Sequence, residues 1–419
     1  MSRLIVPLLL LTLAAGCVFT GPPGAVDWRA ARVVALESDD WGLCGFVPCD
    51  RPVTPADRAA LRTGRVPAVY WDSTLEDSAA VAALADLLAA RRGRDGAPAV
   101  LQANYILGWW RLAPGDRWEA GLLPALPPAY ARPGLWTAVR RAVDRGVWRP
   151  GYHGLWHYDP ARRRDAVARD FLAHRLARRG VLPFPGMQRA WELAPWRPDS
   201  SVARELREGV TAFRRLFGFP PVSVIAPDYV WSRRHERLWA RAGFAAVQAK
   251  REQRRPGTGP GARWRKWLER SRRRITEHRL VYLERNARLE TAQHGNAPSV
   301  LTKCLAAVRR AWRRGEPAVV ECHRVNLVSC RPEAARQGRA ALAALLDSLA
   351  ADRPLYATDG ELAQLARRGC SARRTGDGWL LRNIAHGARL VVLPDGDGAR
   401  RVVFLAPGEM RRYGAKMSN

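Results

Sequence analysis

Lysine is nearly missing from a strongly basic chain: of 69 basic residues among 419, only Lys250, Lys266, Lys303 and Lys416 are lysines, and the formal net charge is +30. The arginines are scattered through every segment, and alanine is abundant beside them. That pattern marks a chain-wide composition rather than a nucleic-acid-binding stripe, so nucleic acid is not the expected partner. The densest basic stretch, Arg251 to Arg274, carries Trp264 and Trp267 and could meet phosphates, an anionic membrane or an acidic polysaccharide. It reads most simply as a solvated insertion over 251–278. Long apolar runs are lacking too. The longest near the N-terminus, Leu4 to Leu13, is too short for a comfortable membrane span.

Cysteine is sparse, and its seven positions do not have the spacing of a zinc knuckle. Arg3, the apolar run and then Ala14-Ala15-Gly16-Cys17 have the layout of a secretory signal, and a cysteine directly after Ala-Ala-Gly resembles a bacterial lipoprotein cleavage box. On this reading residues 1–17 are a signal, Cys17 carries a lipid that tethers the chain to a membrane, and the protein works in the cell envelope or outside the cell. The six other cysteines, Cys44, Cys49, Cys304, Cys322, Cys330 and Cys370, could then form disulfides, with Cys44 and Cys49 able to close a small loop.

After a tether over 18–30, short apolar runs alternate with helical periodicity. Strands are expected at 33–36, 66–71, 97–106, 147–152, 222–226, 244–249, 280–283, 318–321 and 355–357, with helices between most of them. Asp159-Pro160 supplies an N-cap and a first-turn proline for one such helix. The alternation predicts an α/β fold with a mainly parallel sheet: a (β/α) barrel over 31–367, closed or partly open, of about 7 or 8 strands. From 368 to 419 short β runs separated by Asp/Gly turns predict a small antiparallel appendage.

Sites in such barrels lie at the carboxyl ends of the strands, and three of these ends are polar. The first is Val33-Val-Ala-Leu-Glu-Ser-Asp-Asp-Trp-Gly42. Adjacent Asp39 and Asp40 can look into one site only if regular pairing stops there, and Gly42 makes a bend easy. The second is Gly151-Tyr-His-Gly-Leu-Trp-His-Tyr158, where His153 and His157 are near enough in sequence to bind one ion, although Gly154 argues against a helix. The third is Ala318-Val-Val-Glu-Cys-His323. Two histidines and one carboxylate make a site with open positions for a divalent metal that holds water; a second carboxylate can act as base and a distant imidazole as acid.

The three motifs in this order resemble the polysaccharide deacetylase (NodB-like carbohydrate esterase) superfamily, and more closely bacterial proteins labelled polysaccharide (de)acetylase, over about residues 31–367. The resemblance implies a metal-dependent hydrolase that removes N- or O-acetyl groups from a cell-surface or cell-wall polysaccharide. It makes Asp39 the general base, Asp40, His153 and His157 the ligands of a divalent metal, with zinc the first choice, and His323 the general acid. Two departures stand out. Glu37 is an extra acid before the Asp pair, and the family's Arg-x-Pro-Tyr is matched only by Ile225-Ala-Pro-Asp-Tyr229, without the arginine. Glu37, Trp41, Asp228, Tyr229 and His294 are candidate substrate contacts, and Trp109, Trp110, Trp156 and Trp231 could stack on sugar rings. The missing arginine leaves open a catalytically inactive glycan-binding lipoprotein, and Glu37 with an aspartate leaves open a glycoside hydrolase.

Overall fold

The computed structural model describes residues 18–20, 26–50, 53–64, 66–67, 69–250, 279–294, 296–376, 378–394 and 400–414. The signal-like segment with Cys17, most of the Gly21–Val26 stretch and the basic insertion 251–278 lie outside these residues. The first strand, β1 (Val18–Thr20), belongs to the C-terminal appendage although it falls in the expected tether. The second, β2 (Val33–Trp41), is the centre of the barrel.

Around β2 run β3 (Leu101–Tyr105), β6 (Trp148–Tyr152), β7 (Ser223–Ile225), β8 (Ala246–Lys250), β9 (Val281–Arg285), β10 (Ala287–Arg288), β11 (Ala318–His323) and β12 (Leu355–Tyr356). All pair in parallel, in the order β10-β11-β2-β3-β6-β7-β8-β9, with β12 beside β2. β9 and β10 are one run broken at Asn286, whose backbone N–H donates to Val319 and so carries the sheet across to β11. The result is a nearly closed barrel of eight strands with helices outside. An antiparallel hairpin, β4 (Gly108–Ala113) and β5 (Arg117–Leu122), projects after β3.

Period-2 alternation sorts the side chains of β2. Val34 and Leu36 pack outward with helix residues such as Leu84, Val308 and Leu345, while Val33 and Ala35 meet Leu283, Val319 and Leu355 inside the barrel. Glu37 and Asp39 continue the inner row. The barrel interior therefore changes from apolar at the strands' amino ends to charged at their carboxyl ends. A separate apolar cluster, with Phe46, Leu61, Trp71, Ile106, Leu176 and Phe184 among its members, is built from the loops and helices above the carboxyl ends.

The run 66–71 is not a strand. Val69–Asp72 form a helical turn, and Val66 and Trp71 fill that upper cluster, a case where a short buried apolar run has no readable period. The expected helix from Asp159 to Arg179 is two helices, Pro160–Arg169 and Phe171–Arg178, and Asp170 caps the second. The appendage has two three-stranded antiparallel sheets. One is β13 (Cys370–Thr375), β14 (Gly378–Asn383) and β17 (Met410–Gly414); the other is β1 with β15 (Arg389–Pro394) and β16 (Arg400–Leu405).

The disulfide is also not the expected one. Cys49 bonds to Cys330, 281 residues away, and Cys44 is buried in the main core, where burial pushes its thiol pKa up. The bond joins the loop after β2 to the loop after β11, the two chain ends that carry Asp39–Asp40 and His323. Peptide mapping without reduction should recover Cys49 linked to Cys330 and Cys44 unmodified. Cys49→Ser should lower unfolding stability by about 2–4 kcal/mol, as for closure of a long loop.

Candidate active site

The pairing of β2 with β3 is regular from Leu36 to Ser38 and then shifts before Trp41, a bulge that holds the two aspartates. Asp40 takes a left-handed φ of 71°, and Gly42 follows at 69°. A Cβ at Gly42 would come within 2.7 Å of the Tyr105 ring, so this position needs glycine twice over. Without the bulge Asp40 would point outward with Val34 and Leu36. With it, both carboxylates face inward.

His153 follows β6 and His157 lies in the loop beyond, not on a helix. Gly154 turns at a φ of 116°, and the loop folds over Glu192, which accepts hydrogen bonds from Leu155 N (2.8 Å) and His157 N (2.7 Å). His157 too is left-handed, at 68°. The outcome is convergence: Asp40 Oδ1 lies 3.4 Å from His153 Nε2 and 3.3 Å from His157 Nε2, all three residues being buried. His153 Nδ1 sits 3.2 Å from the Ile225 carbonyl oxygen, a contact that places the ring proton there and turns the Nε2 lone pair toward Asp40.

These residues fit a divalent metal. Asp40 Oδ1 is buried without a hydrogen-bond partner, and the donor set of two imidazole nitrogens and one carboxylate oxygen is one that zinc accepts. Burial works against the Asp40 carboxylate, but the two imidazoles outweigh it and hold its pKa well down. Burial likewise opposes a charged His157, and Asp40 outweighs it and raises the pKa. A metal bound here would compete with protons for the same groups.

Asp39 points to a different partner. Arg285, at the end of β9 and fully buried, donates from Nη1 to Asp39 Oδ2 (2.6 Å) and from Nη2 to Oδ1 (2.7 Å), while its Nε donates to Glu37 Oε2 (2.6 Å). Asn104 adds a hydrogen bond to Asp39 Oδ1 at 2.8 Å. Burial alone would raise the Asp39 pKa, and the Arg285 guanidinium reverses that, keeping it well below the usual carboxylate range. Glu37 behaves oppositely. Burial and the neighbouring Asp359 push its pKa well up in spite of Arg285, so of the two acids on this guanidinium Asp39 carries the charge.

His323 completes the group from β11, the strand on the other side of β2. Its Nε2 is 3.9 Å from Asp39 Oδ2 and its Nδ1 is 2.6 Å from Glu290 Oε1. Asn326 holds the other Glu290 oxygen at 2.7 Å. Burial disfavours the imidazolium, but Glu290, then Asp40 and Asp39, outweigh it and raise the His323 pKa to about 10. Its side chain is 22% exposed, more than that of Asp39 or Asp40, so it stands at the mouth of the site.

The candidate substrate contacts separate into groups. Tyr229 reaches the site, accepting from Arg285 Nη1 at 2.7 Å and donating to Glu321 at 2.8 Å; Asp228 beside it is half-buried with a φ of 54°. Glu37 and Trp41 are fully buried: the first is held on Arg285, and the second packs edge-on against Trp148 at 4.6 Å. Trp231 is core, bonded to Glu236. Trp110 and Trp156 pack together at 5.0 Å beside the β4–β5 hairpin, and Trp109 bonds to the Ala125 carbonyl. The side chain of His294 lies outside the described residues. Arg285, Glu290, Asn104 and Glu192 were missed; only Arg285 and Glu290 had a signal, as charged residues following an apolar run.

No protein-family model matches the chain, and it matches no curated protein. Among solved structures it is similar to a putative polysaccharide deacetylase from Mycobacterium smegmatis (15% identity, 83% of this chain and 94% of that one, TM-score 0.41). It is also similar to a probable polysaccharide deacetylase from Pseudomonas aeruginosa PAO1 (12% identity, 80% and 91%, TM-score 0.42). A third is Puue allantoinase (10% identity, 82% and 93%, TM-score 0.43).

Two measurements test this geometry. Zinc titrated into metal-free protein at neutral pH should bind at about one ion per chain with release of about one proton, read by calorimetry in buffers of different ionisation enthalpy; Asp40→Ala and His157→Ala should abolish it. In denaturant unfolding, Arg285→Met should lose about 3–5 kcal/mol because a buried carboxylate is left unpaired. Glu37→Gln, which mimics the protonated acid, should cost under about 1 kcal/mol.

Proposed function

We infer that the protein is a metal-dependent hydrolase that removes acetyl groups, N- or O-linked, from an envelope polysaccharide. One observation carries the reading: a candidate metal triad, an anionic aspartate and a protonated histidine meet at the carboxyl ends of β2, β6 and β11. The order of the motifs along the sequence supports it. A divalent ion held by Asp40, His153 and His157, zinc by its donor set, would polarise the acyl carbonyl and acidify a water.

The chain's own residues supply the proton transfers. Asp39, kept anionic by Arg285 and Asn104, accepts the proton of the attacking water. His323, kept protonated by Glu290, donates from Nε2 to the departing amine or alcohol when the tetrahedral centre collapses. Glu290 is a positioning residue: its carboxylate fixes the ring so that Nε2 faces Asp39 and the metal ligands.

The two other readings lose their motives. The inactive glycan binder rests on the absent arginine and the tryptophans, but Arg285 brings a guanidinium to Asp39 from another strand, Trp231 is core, Trp110 and Trp156 pack on each other and Trp109 is bonded to the Ala125 carbonyl. The glycoside hydrolase needs Glu37 at a glycosidic bond, and Glu37 is fully buried beneath Asp39 on Arg285.

Acetate release from an acetylated oligosaccharide is the direct test. Asp39→Asn and His323→Ala should each lower kcat about 10²–10⁴-fold while the metal stays bound, which separates the proton-transfer groups from the ligands. Wild-type protein that holds metal but releases no acetate from any acetylated glycan would overturn the reading. The pH profile has a stated sign. His323 donates only when protonated, so activity should fall as pH rises through its raised pKa, and Glu290→Gln should move that alkaline limb down by about one unit or more.

A further inference from the structure

The far end of the barrel shows a second organised surface. Arg382 of β14 bonds to Asp95 and Glu361 at 2.7 Å each, Arg412 of β17 donates to the Gly96 carbonyl at 2.9 Å, and Asp27 N donates to the Ile384 carbonyl at 3.0 Å. Asp95 and Gly96 precede β3 and Asp27 precedes β2. The appendage thus sits at the amino ends of the strands, away from Asp40.

Two features there are turned to solvent. The inner residues of β15 and β16, Val391, Leu393, Val403 and Leu405, form a core with β13 and β14. Their alternates face out, and these are apolar as well: Leu390 is 39% exposed, Val402 61% and Phe404 57%. Leu390 pairs with Phe404 and Val392 with Val402, so the exposed residues are contiguous. An antiparallel sheet with one free face normally turns polar residues to water. Next to the appendage lies a cleft of about 610 Å³ lined by Arg29, Arg32, Arg94 and Arg353 against two acids, Asp27 and Asp352. Asp352 is already paired with Arg32 and Arg309, and Asp27 caps the following helix. Arg29, Arg32, Arg94 and Arg353 are all exposed, four guanidiniums against the two carboxylates of the cleft.

We propose that this end of the molecule, the arginine-lined cleft together with the outer face of β15 and β16, docks on an anionic phospholipid surface. An apolar face beside a cluster of guanidiniums is what a bilayer interface with acidic headgroups recognises. A second copy packed face to face about a two-fold axis would bring two such arginine clusters toward one another. The chain's course agrees. β1 lies against β15, Val18 opposite Val392, and Cys17 is the residue before Val18 in the sequence. Among the described residues no helix is long and apolar enough to cross a membrane. Docked this way, the catalytic end points away from the lipid.

Flotation of the full-length chain with phosphatidylcholine vesicles, with and without phosphatidylglycerol, tests this at low and high salt. Wild type should bind the phosphatidylglycerol vesicles more tightly, and salt should weaken the preference. Arg29→Gln with Arg353→Gln should lower that preference by about fivefold for each charge removed. Val402→Ser with Phe404→Ser should weaken binding to both vesicle types. Residues 1–17 are the same in every variant, so any loss belongs to this face, and an unchanged thermal midpoint excludes misfolding; the arginine pair tests the proposal even where the serine pair fails to fold. Binding unaffected by both pairs would overturn it. So would a serine variant that binds vesicles normally but changes from dimer to monomer in light scattering, which would make the face a contact between copies. None of these readouts involves acetate release.

Discussion

A fully buried guanidinium at the end of β9 sets the terms for the carboxyl-end half of the barrel, where the candidate site lies. The Arg285 side chain has no exposed surface, and a buried cation is tolerated only where its hydrogen bonds and its charge are met. Glu37, Asp39, Tyr229 and Gln248 meet them from β2, β8 and the loop after β7. The arrangement locks those strand ends in register around one charge. It also settles which acid is ionised. Because the guanidinium reaches Asp39 with two parallel bonds and Glu37 with one, and because Asp359 crowds Glu37, the anion sits on Asp39, next to the candidate metal triad rather than below it.

Local backbone strain does the remaining positioning. Asp40 and His157 are both left-handed, a conformation that residues other than glycine seldom adopt, and each is held there by its surroundings: the β2 bulge beside Gly42 for one, the Glu192 carboxylate beneath the loop for the other. The Gly42 N–H donates to Glu76, and Glu76 also receives Arg324, the residue after His323. A buried ion pair and the Cys49–Cys330 bond therefore join the β2 end to the β11 end. His323 and Asp39 are fixed relative to each other by contacts that lie outside the candidate site.

Much of this was legible in the sequence. Strand-helix alternation led to the parallel barrel, and the three polar strand ends led to Asp39, Asp40, His153, His157 and His323, because a charged group inside a barrel can sit only where the interior meets its open end. The need for broken pairing at Asp39–Asp40 also followed from period 2. What could not be read was long-range. Arg285 follows an apolar run, but as one arginine among many it could not be matched to Glu37 and Asp39 until the barrel brings the end of β9 to the end of β2. For the same reason the local pair Cys44 and Cys49 looked plausible although Cys330 is the partner, and the apolar run 66–71 looked like a strand although it packs as a turn above the site. The β4–β5 hairpin went unread because its alternation is interrupted by half-buried tryptophans.

The interior of the barrel can be seen as a gradient laid along each strand. On β2 the inward sequence is Val33, Ala35, Glu37, Asp39; on β9 it is Val281, Leu283, Arg285; on β11 it ends Val319, Glu321 and then His323. Apolar residues at the amino ends close the barrel, so the charged layer above them is cut off from water on one side. In that setting a guanidinium, a carboxylate and an imidazole act on one another with little screening, which is why Asp39 stays anionic and His323 stays protonated with only 3.9 Å between them. The ordinary pKa values of a carboxylate and an imidazole already favour the proton on the ring. Arg285 on one side and Glu290 on the other pull the two pKa values further apart, and that separation fixes the protonation states from which the proposed base and acid would start.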